Sequence, residues 1–305
     1  MNEASSIQHY ENFPVASVLC PPRLRAPVRA LYHYARTADD LADEGDAPAT
    51  QRLADLAAYR AELLACFAPS VPVGPAAAAA AASRWPHIFG PLRLAVHDFQ
   101  LPEAPLTDLL SAFMQDVEKT RQTEQGKAPG AAYADRAELL DYCRRSANPV
   151  GRLMLHLHGI GDPASLAQSD AICTALQLIN FWQDLSRDIP RGRHYLTAAD
   201  RAAHGVNDAD LHALHSTPQT QALIADCCAW ARNLMRQGAP LVHRVPGRMA
   251  WELRFVVQGG LRILDKIEAQ GCNPLQLRPR ITAADTALLL WRAIGMRATT
   301  LNQPP

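Results

Sequence analysis

The sequence predicts an all-α fold built as one large domain. Helical apolar patterning recurs along nearly the whole chain. Strand signals are poor, with little Val-Ile-Thr alternation and no Asn-Gly hairpin. The 305 residues would accommodate two average domains as well as one, but no internal repeat or low-complexity linker divides them. Residues 1–305 are therefore read as a single domain.

The elements follow in order. Pro21-Pro22 opens a helical stretch that runs to about Glu44 and stops near Gly45. A second helix is predicted from about Gln51 to Phe67. Pro69, Pro72 and Pro75 then interrupt the chain before an alanine run, Ala76 to Ala82, that favours helix. Helical patterns cover about 84–99, 105–125, 135–147 and 149–159. Pro163 lies near the start of a long helix over about 164–189, which Pro190-Arg191-Gly192 stops. Residues 197–216 read as a loop with short helical turns, and helices at about 219–243, 247–270 and 282–297 complete the chain. The ends, 1–8 and 300–305, are expected to be disordered.

Composition narrows the function. Lys and Arg number 30 and Asp and Glu 30, so no net charge argues for a nucleic-acid partner. Lysine is confined to Lys119, Lys127 and Lys266, and the remaining basic side chains are arginine, the better two-pronged partner for phosphate. Seven cysteines, an odd number without CxxC spacing, describe neither a disulfide framework nor a zinc site and point to a reducing cytoplasm. Met1 to Tyr10 lacks a charged-then-apolar leader pattern, and no apolar run reaches the length of a membrane span.

Two acidic clusters are the most specific feature. One is Asp39-Asp40-Leu41-Ala42-Asp43, and the other runs from Asn180 to Asp188. Each repeats an oxygen ligand every fourth residue, which on a helix stacks Asp39 over Asp43 and aligns Asn180, Asp184 and Asp188. Such a row is commonly a solvated face. Two rows with apolar surroundings instead suit Mg²⁺, which takes one or two carboxylates, several waters and substrate phosphate oxygens. At about 100° per residue, Tyr32, Arg36 and Asp43 lie within about 60° of Asp39. Arg36 then either orients the carboxylates and a diphosphate or makes an ordinary intrahelical ion pair. Gln177, Phe181, Asp184 and Asp188 lie within about 100° of Asn180, Arg187 falls close to it, and Trp182, at about 200°, packs behind. Gly151 signals close approach of a bulky chain or helix, or else a helix boundary after Pro149.

In these motifs the chain resembles the squalene and phytoene synthase family of head-to-head prenyl synthases. The resemblance rests on DxxxD at Asp39 to Asp43 and NxxxDxxxD at Asn180 to Asp188. It extends to Arg191-Gly192-Arg193-His194-Tyr195-Leu196, where Thr197 replaces the family's usual Pro, and spans about residues 9 to 280. Glu11 to Ser17, Tyr142 to Arg152 and Phe181-Trp182-Gln183 are most similar to the branch that makes hydroxysqualene in bacterial hopanoid synthesis. Gln115 to Arg121 fits that branch too, with Gln122 where a Tyr is expected.

The resemblance implies an isoprenoid-synthase-type helical bundle around a central cavity. It implies Mg²⁺, as several ions, on Asp39, Asp43, Asn180, Asp184 and Asp188, and chemistry at these carboxylates and Tyr142. Phe13, Ser17, Tyr32, Arg36, Val150, Gly151, Gln177, Phe181, Arg191, Arg193 and Tyr195 would contact substrate; without the resemblance, Arg191 and Arg193 read as a solvated loop. The implied reaction turns presqualene diphosphate and water into hydroxysqualene and diphosphate without a nicotinamide cofactor. Sibling reactions would condense two prenyl diphosphates to presqualene diphosphate, squalene or phytoene. A different class would be a non-catalytic helical binder of prenyl lipids, which has no use for an intact acidic array. A polyprenyl substrate leaves room for peripheral contact with the inner face of a membrane. His97-Asp98 lacks the spaced partners of a metal phosphohydrolase, and no GxGxxG follows a strand.

Overall fold

The computed structural model describes residues 20–68, 83–124 and 133–296, with the side chains of 122–124 excepted. Phe13, Ser17, the alanine run and both chain ends lie outside the described residues, as does the side chain of Gln122. All regular structure among the described residues is helical, and it gathers into two compact units.

The first unit comprises residues up to Glu118 together with Leu153–Gly159. Its helices are α1 (Pro22–Asp43), α2 (Ala49–Ala65), α3 (Pro86–Phe99) and most of α4 (Glu103–Glu124). Pro22 starts α1 where a missing N–H costs nothing, and Gly45, at φ +83°, follows its end in a conformation glycine adopts without strain. Leu24, Val28, Leu31, Ala35, Ala38 and Ala42 form the buried stripe of α1. Two buried tyrosines fasten the neighbouring helices. Tyr34 donates to the Leu106 carbonyl at 2.9 Å, and Tyr59 donates to the Tyr34 carbonyl at 3.0 Å.

The second unit holds Lys119–Arg152 and everything from Ile160 onward. It includes α5 (Arg136–Ser146) and the first turns of α6 (Asn148–Leu157). Helix α7 (Pro163–Gln183) packs against α5, α11 (Pro218–Gly238) and α12 (Gly247–Ala269). Asp162 caps α7 by accepting from the Ser165 N–H at 3.0 Å, with Pro163 at the first helical position. Between α7 and α11 lie the short helices α8 (Leu185–Asp188), α9 (Ala198–Ala203) and α10 (Asp208–His212). Thr197, where the family pattern has Pro, caps α9, accepting from the Asp200 N–H at 3.1 Å and donating to its carboxylate at 2.8 Å. Helix α13 (Thr286–Gly295) rests on α12. Where Gly238 meets α7, a Cβ would lie 2.5 Å from Ile172 Cγ1 and 2.6 Å from the Gln168 carbonyl oxygen.

One predicted element is corrected. The helix expected over 164–189 is not continuous. It ends at Gln183, Asp184 turns out of it at φ −103°, ψ 11°, α8 forms one further turn, and Ile189–Arg191 tightens into a 3₁₀ turn closed by Gly192 at φ +74°. Carboxylates are disfavoured at the negative end of a long helix, and Pro190 has no N–H with which to continue the ladder. The facing angles reckoned from Asn180 therefore hold as far as Gln183 and do not extend to Asp188.

Candidate active site

The first acidic motif closes α1. Asp39 and Asp40 are half-buried and Asp43 is exposed. Arg36 sits among the carboxylates, with ion pairs to Asp39 at 3.2 Å, Asp40 at 2.5 Å and Glu44 at 2.7 Å. The local ion pair foreseen for Arg36 is thus present, and its guanidinium stands where a cation would neutralise the motif. Burial opposes the Arg36 charge, yet Asp40, Asp39 and Glu44 hold its pKa above the ordinary arginine value. For Asp40, burial pushes the carboxyl up against the pull of Arg36. Tyr32 is buried on the same helix.

In the second unit, Gln177 and Asn180 are half-buried on the last turns of α7, and Asp184 and Asp188 are half-buried beyond it. Arg278 grips Asp184 with both prongs, Nη2 to Oδ2 at 3.1 Å and Nε to Oδ1. The adjacent pair is fastened as well: buried Gln183 donates from Nε2 to the Pro279 carbonyl at 2.7 Å. Residues 183–184 and 278–279 are therefore joined side by side. Arg278 was not anticipated from the sequence, since it lies in an aperiodic stretch between Leu277 and Pro279.

Phe181 and Trp182 are both buried, and Trp182 packs in the core as its helical angle predicted. Phe181 stacks face to face on Tyr195, with centroids 3.6 Å apart and planes 8° apart. Tyr142 lies 6.2 Å from Phe181 and 6.4 Å from Tyr195, and Tyr133, unforeseen, joins them at 5.6 Å from Tyr142. Lys119 Nζ sits 4.1 Å over the Tyr133 ring and bonds Glu138 at 3.0 Å. The Tyr133 face thus already meets one cation, the Lys119 ammonium.

The Tyr142–Arg152 segment packs on α7. Thr174 donates to buried Asn148 at 2.9 Å, and a Cβ on Gly151 would collide with Ser169 Oγ and lie 2.6 Å from Cys173 Sγ. Of the alternatives for Gly151, the structure places a helix against it. Val150 beside it is half-buried. Arg187 within the motif and Arg191 beyond it are exposed, while Arg193 is half-buried and its N–H bonds the Asp188 carbonyl at 2.9 Å.

The donors in both motifs are hard oxygens. Among the described residues, no three His, Cys, Asp or Glu converge tightly enough to hold an ion by themselves. Oxygen donors of this kind are the type Mg²⁺ takes alongside water and phosphate oxygens.

The family model for squalene/phytoene synthase matches residues 7–285. A hydroxysqualene synthase of Sinorhizobium fredii is 34% identical over 94% of this chain and 88% of its own length. One from Rhodopseudomonas palustris is 32% identical over 93% and 88% respectively. The crystal structure of squalene synthase HpnC from Alicyclobacillus acidocaldarius, 35% identical, superposes with a TM-score of 0.72 over 87% of this chain and 91% of that one.

Proposed function

The chain belongs to the squalene/phytoene synthase family, and we propose that it acts as a hydroxysqualene synthase in hopanoid biosynthesis, converting presqualene diphosphate and water to hydroxysqualene and diphosphate. The observation that carries this reading is its similarity, over nearly the whole chain, to proteins of that activity. The residues of the second motif give the reading its chemistry. The bond from the cyclopropylcarbinyl carbon to the diphosphate oxygen breaks heterolytically, and diphosphate departs with the electron pair. A water oxygen bonds to the rearranged cation and loses one proton, so no reductant is consumed.

Mg²⁺, held by Asp39, Asp43, Asn180, Asp184 and Asp188 together with the substrate's own oxygens, would supply the charge neutralisation that makes diphosphate a leaving group. Arg191 and Arg193 add two-pronged contacts to the same anion, while Arg36, paired with Asp39, Asp40 and Glu44, orients the carboxylates beside it. Tyr142, Phe181 and Tyr195 present ring faces to the cation and limit which nucleophile reaches it. Phe13, Ser17, Tyr32, Val150, Gly151 and Gln177 complete the proposed substrate contacts. Residues 1–305 are taken as one isoprenoid-synthase domain in this reading.

The test is incubation of purified protein with Mg²⁺ and presqualene diphosphate in ¹⁸O-labelled water, without nicotinamide. The expected product is an alcohol carrying one labelled oxygen. Asp184→Asn should lower turnover by roughly 10²-fold or more while the protein stays folded. Efficient conversion of farnesyl diphosphate to presqualene diphosphate, or of geranylgeranyl diphosphate to phytoene, would overturn the assignment. So would activity indifferent to EDTA or to Asp184→Asn.

A further inference from the structure

The outer side of α13 is apolar. Ala287, Leu290, Trp291 and Ile294 follow i, i+3, i+4, i+7 spacing, and all four are exposed. A helix that only completes a core turns such a stripe inward. Here Ala293 is the buried position, while Trp291 is 72% exposed and Ile294 56%. Trp251 on α12, also exposed, joins them through Arg254. That guanidinium lies 5.1 Å from the Trp251 ring centre and donates to the Ala293 carbonyl at 3.0 Å. Arg248 is exposed one turn before Trp251.

The charges beside this face are positive. Asp285 is engaged by Arg262 and Lys266, and Asp265 by Arg232 and Arg292. Glu252, next to Trp251, is half-buried and already engaged. Arg248 and Arg254 have no carboxylate partner among the described residues. The exposed parts of Trp251, Leu290, Trp291 and Ile294 amount to on the order of 450 Å², taking ~150–250 Å² for each large side chain. That is the size of a functional patch and short of the ~800 Å² that each partner gives to a standard protein interface.

We propose that this face seats the protein on an anionic phospholipid surface. Leu290, Trp291 and Ile294 enter the interfacial layer, Trp251 lies at its edge, and Arg248 and Arg254 meet lipid phosphates. Tryptophan suits this position because its ring is apolar and its N–H stays hydrated. The inference rests in part on the proposed function, whose substrate and product are long-chain lipids that partition into membranes.

Flotation of the full chain with large unilamellar vesicles tests it, using phosphatidylcholine alone and with one third phosphatidylglycerol. The wild type should float with the anionic vesicles and detach as salt rises. Trp291→Glu and Ile294→Glu should each lower the partition coefficient about tenfold or more, and Arg248→Gln with Arg254→Gln should abolish the preference for phosphatidylglycerol. Unchanged circular dichroism establishes that the variants are folded. A wild type that stays with the pellet, or variants that float as it does, would overturn the proposal. So would a wild-type dimer, seen by light scattering, that Trp291→Glu converts to monomer. Turnover of detergent-dispersed presqualene diphosphate is read in parallel. Its absence refutes the proposed reaction and leaves flotation to judge the surface.

Discussion

Arg278 and Asp184 should behave as one functional unit. The two side chains are 17% and 25% exposed and meet by two prongs. A solvent-exposed pair of this kind is worth about 0–1 kcal/mol, whereas breaking a fully buried one costs about 3–5 kcal/mol. This pair lies between, at about 2 kcal/mol, or roughly 30-fold in a rate or binding constant. A carboxylate has lone pairs to spare for a cation while an arginine holds it, so Arg278 fixes the orientation in which Asp184 is offered. Loss of such an orienting partner typically costs about 10–100-fold in metal affinity or activity.

The perturbation is Arg278→Gln, which keeps a polar side chain and removes the charged fork. We expect kcat/KM for presqualene diphosphate to fall roughly 30-fold, with the Mg²⁺ requirement shifted to higher concentration. The decisive measurement is the double-mutant cycle. If Arg278 acts through Asp184, adding Arg278→Gln to Asp184→Asn should change little, leaving a coupling energy of about 2 kcal/mol. Gln183→Ala, which frees the Pro279 carbonyl beside Arg278, should cause a smaller loss with the same non-additivity. Losses that multiply, to within about 0.5 kcal/mol of additivity, would refute the coupling and give Arg278 an independent role.

Two further expectations concern the frame of the second unit. Gly238→Ala puts a methyl group against the Gln168 carbonyl and the Ile172 backbone N, 2.6 and 2.8 Å away. Backbone atoms of a packed helix cannot yield cheaply, so the cost should be about 2 kcal/mol, or about 5 °C in Tm; an unchanged calorimetric midpoint would contradict this. At the start of α7, the hydroxyl and backbone N–H of Ser165, then Arg244, hold the Asp162 carboxyl down at about 2. A depressed folded-state pKa stabilises above the unfolded value of about 4 and is lost as pH falls through the folded value. Asp162→Asn retains a capping side chain and removes the charge, so its Tm deficit should be full at neutral pH and close between about pH 4 and pH 2. A deficit independent of pH would show that charge is not what Asp162 contributes.

The same electrostatics explain what could be read from the chain and what could not. Both acidic motifs end a long helix, and neither α1 nor α7 has a basic residue in its last turn. Carboxylates at the negative pole of a helix are unfavourable, so a chain that keeps them there for a ligand needs compensating cations. For the first motif that cation is Arg36, three residues before Asp39, and helical spacing alone placed it. Local spacing also put Trp182 in the core, and Pro22 and Gly45 bounded α1 within a residue or two. For the second motif the cation is Arg278, 94 residues from Asp184, and no periodicity reaches so far. Nor does periodicity show that the helix ends at Gln183 rather than running on through Asp188. A pattern of apolar positions carries no record of the dipole that Asp184 opposes, nor of the arginine that meets it as the helix ends. Each acidic motif thus has an arginine against its carboxylates, one supplied by its own helix and one by a distant segment of the chain.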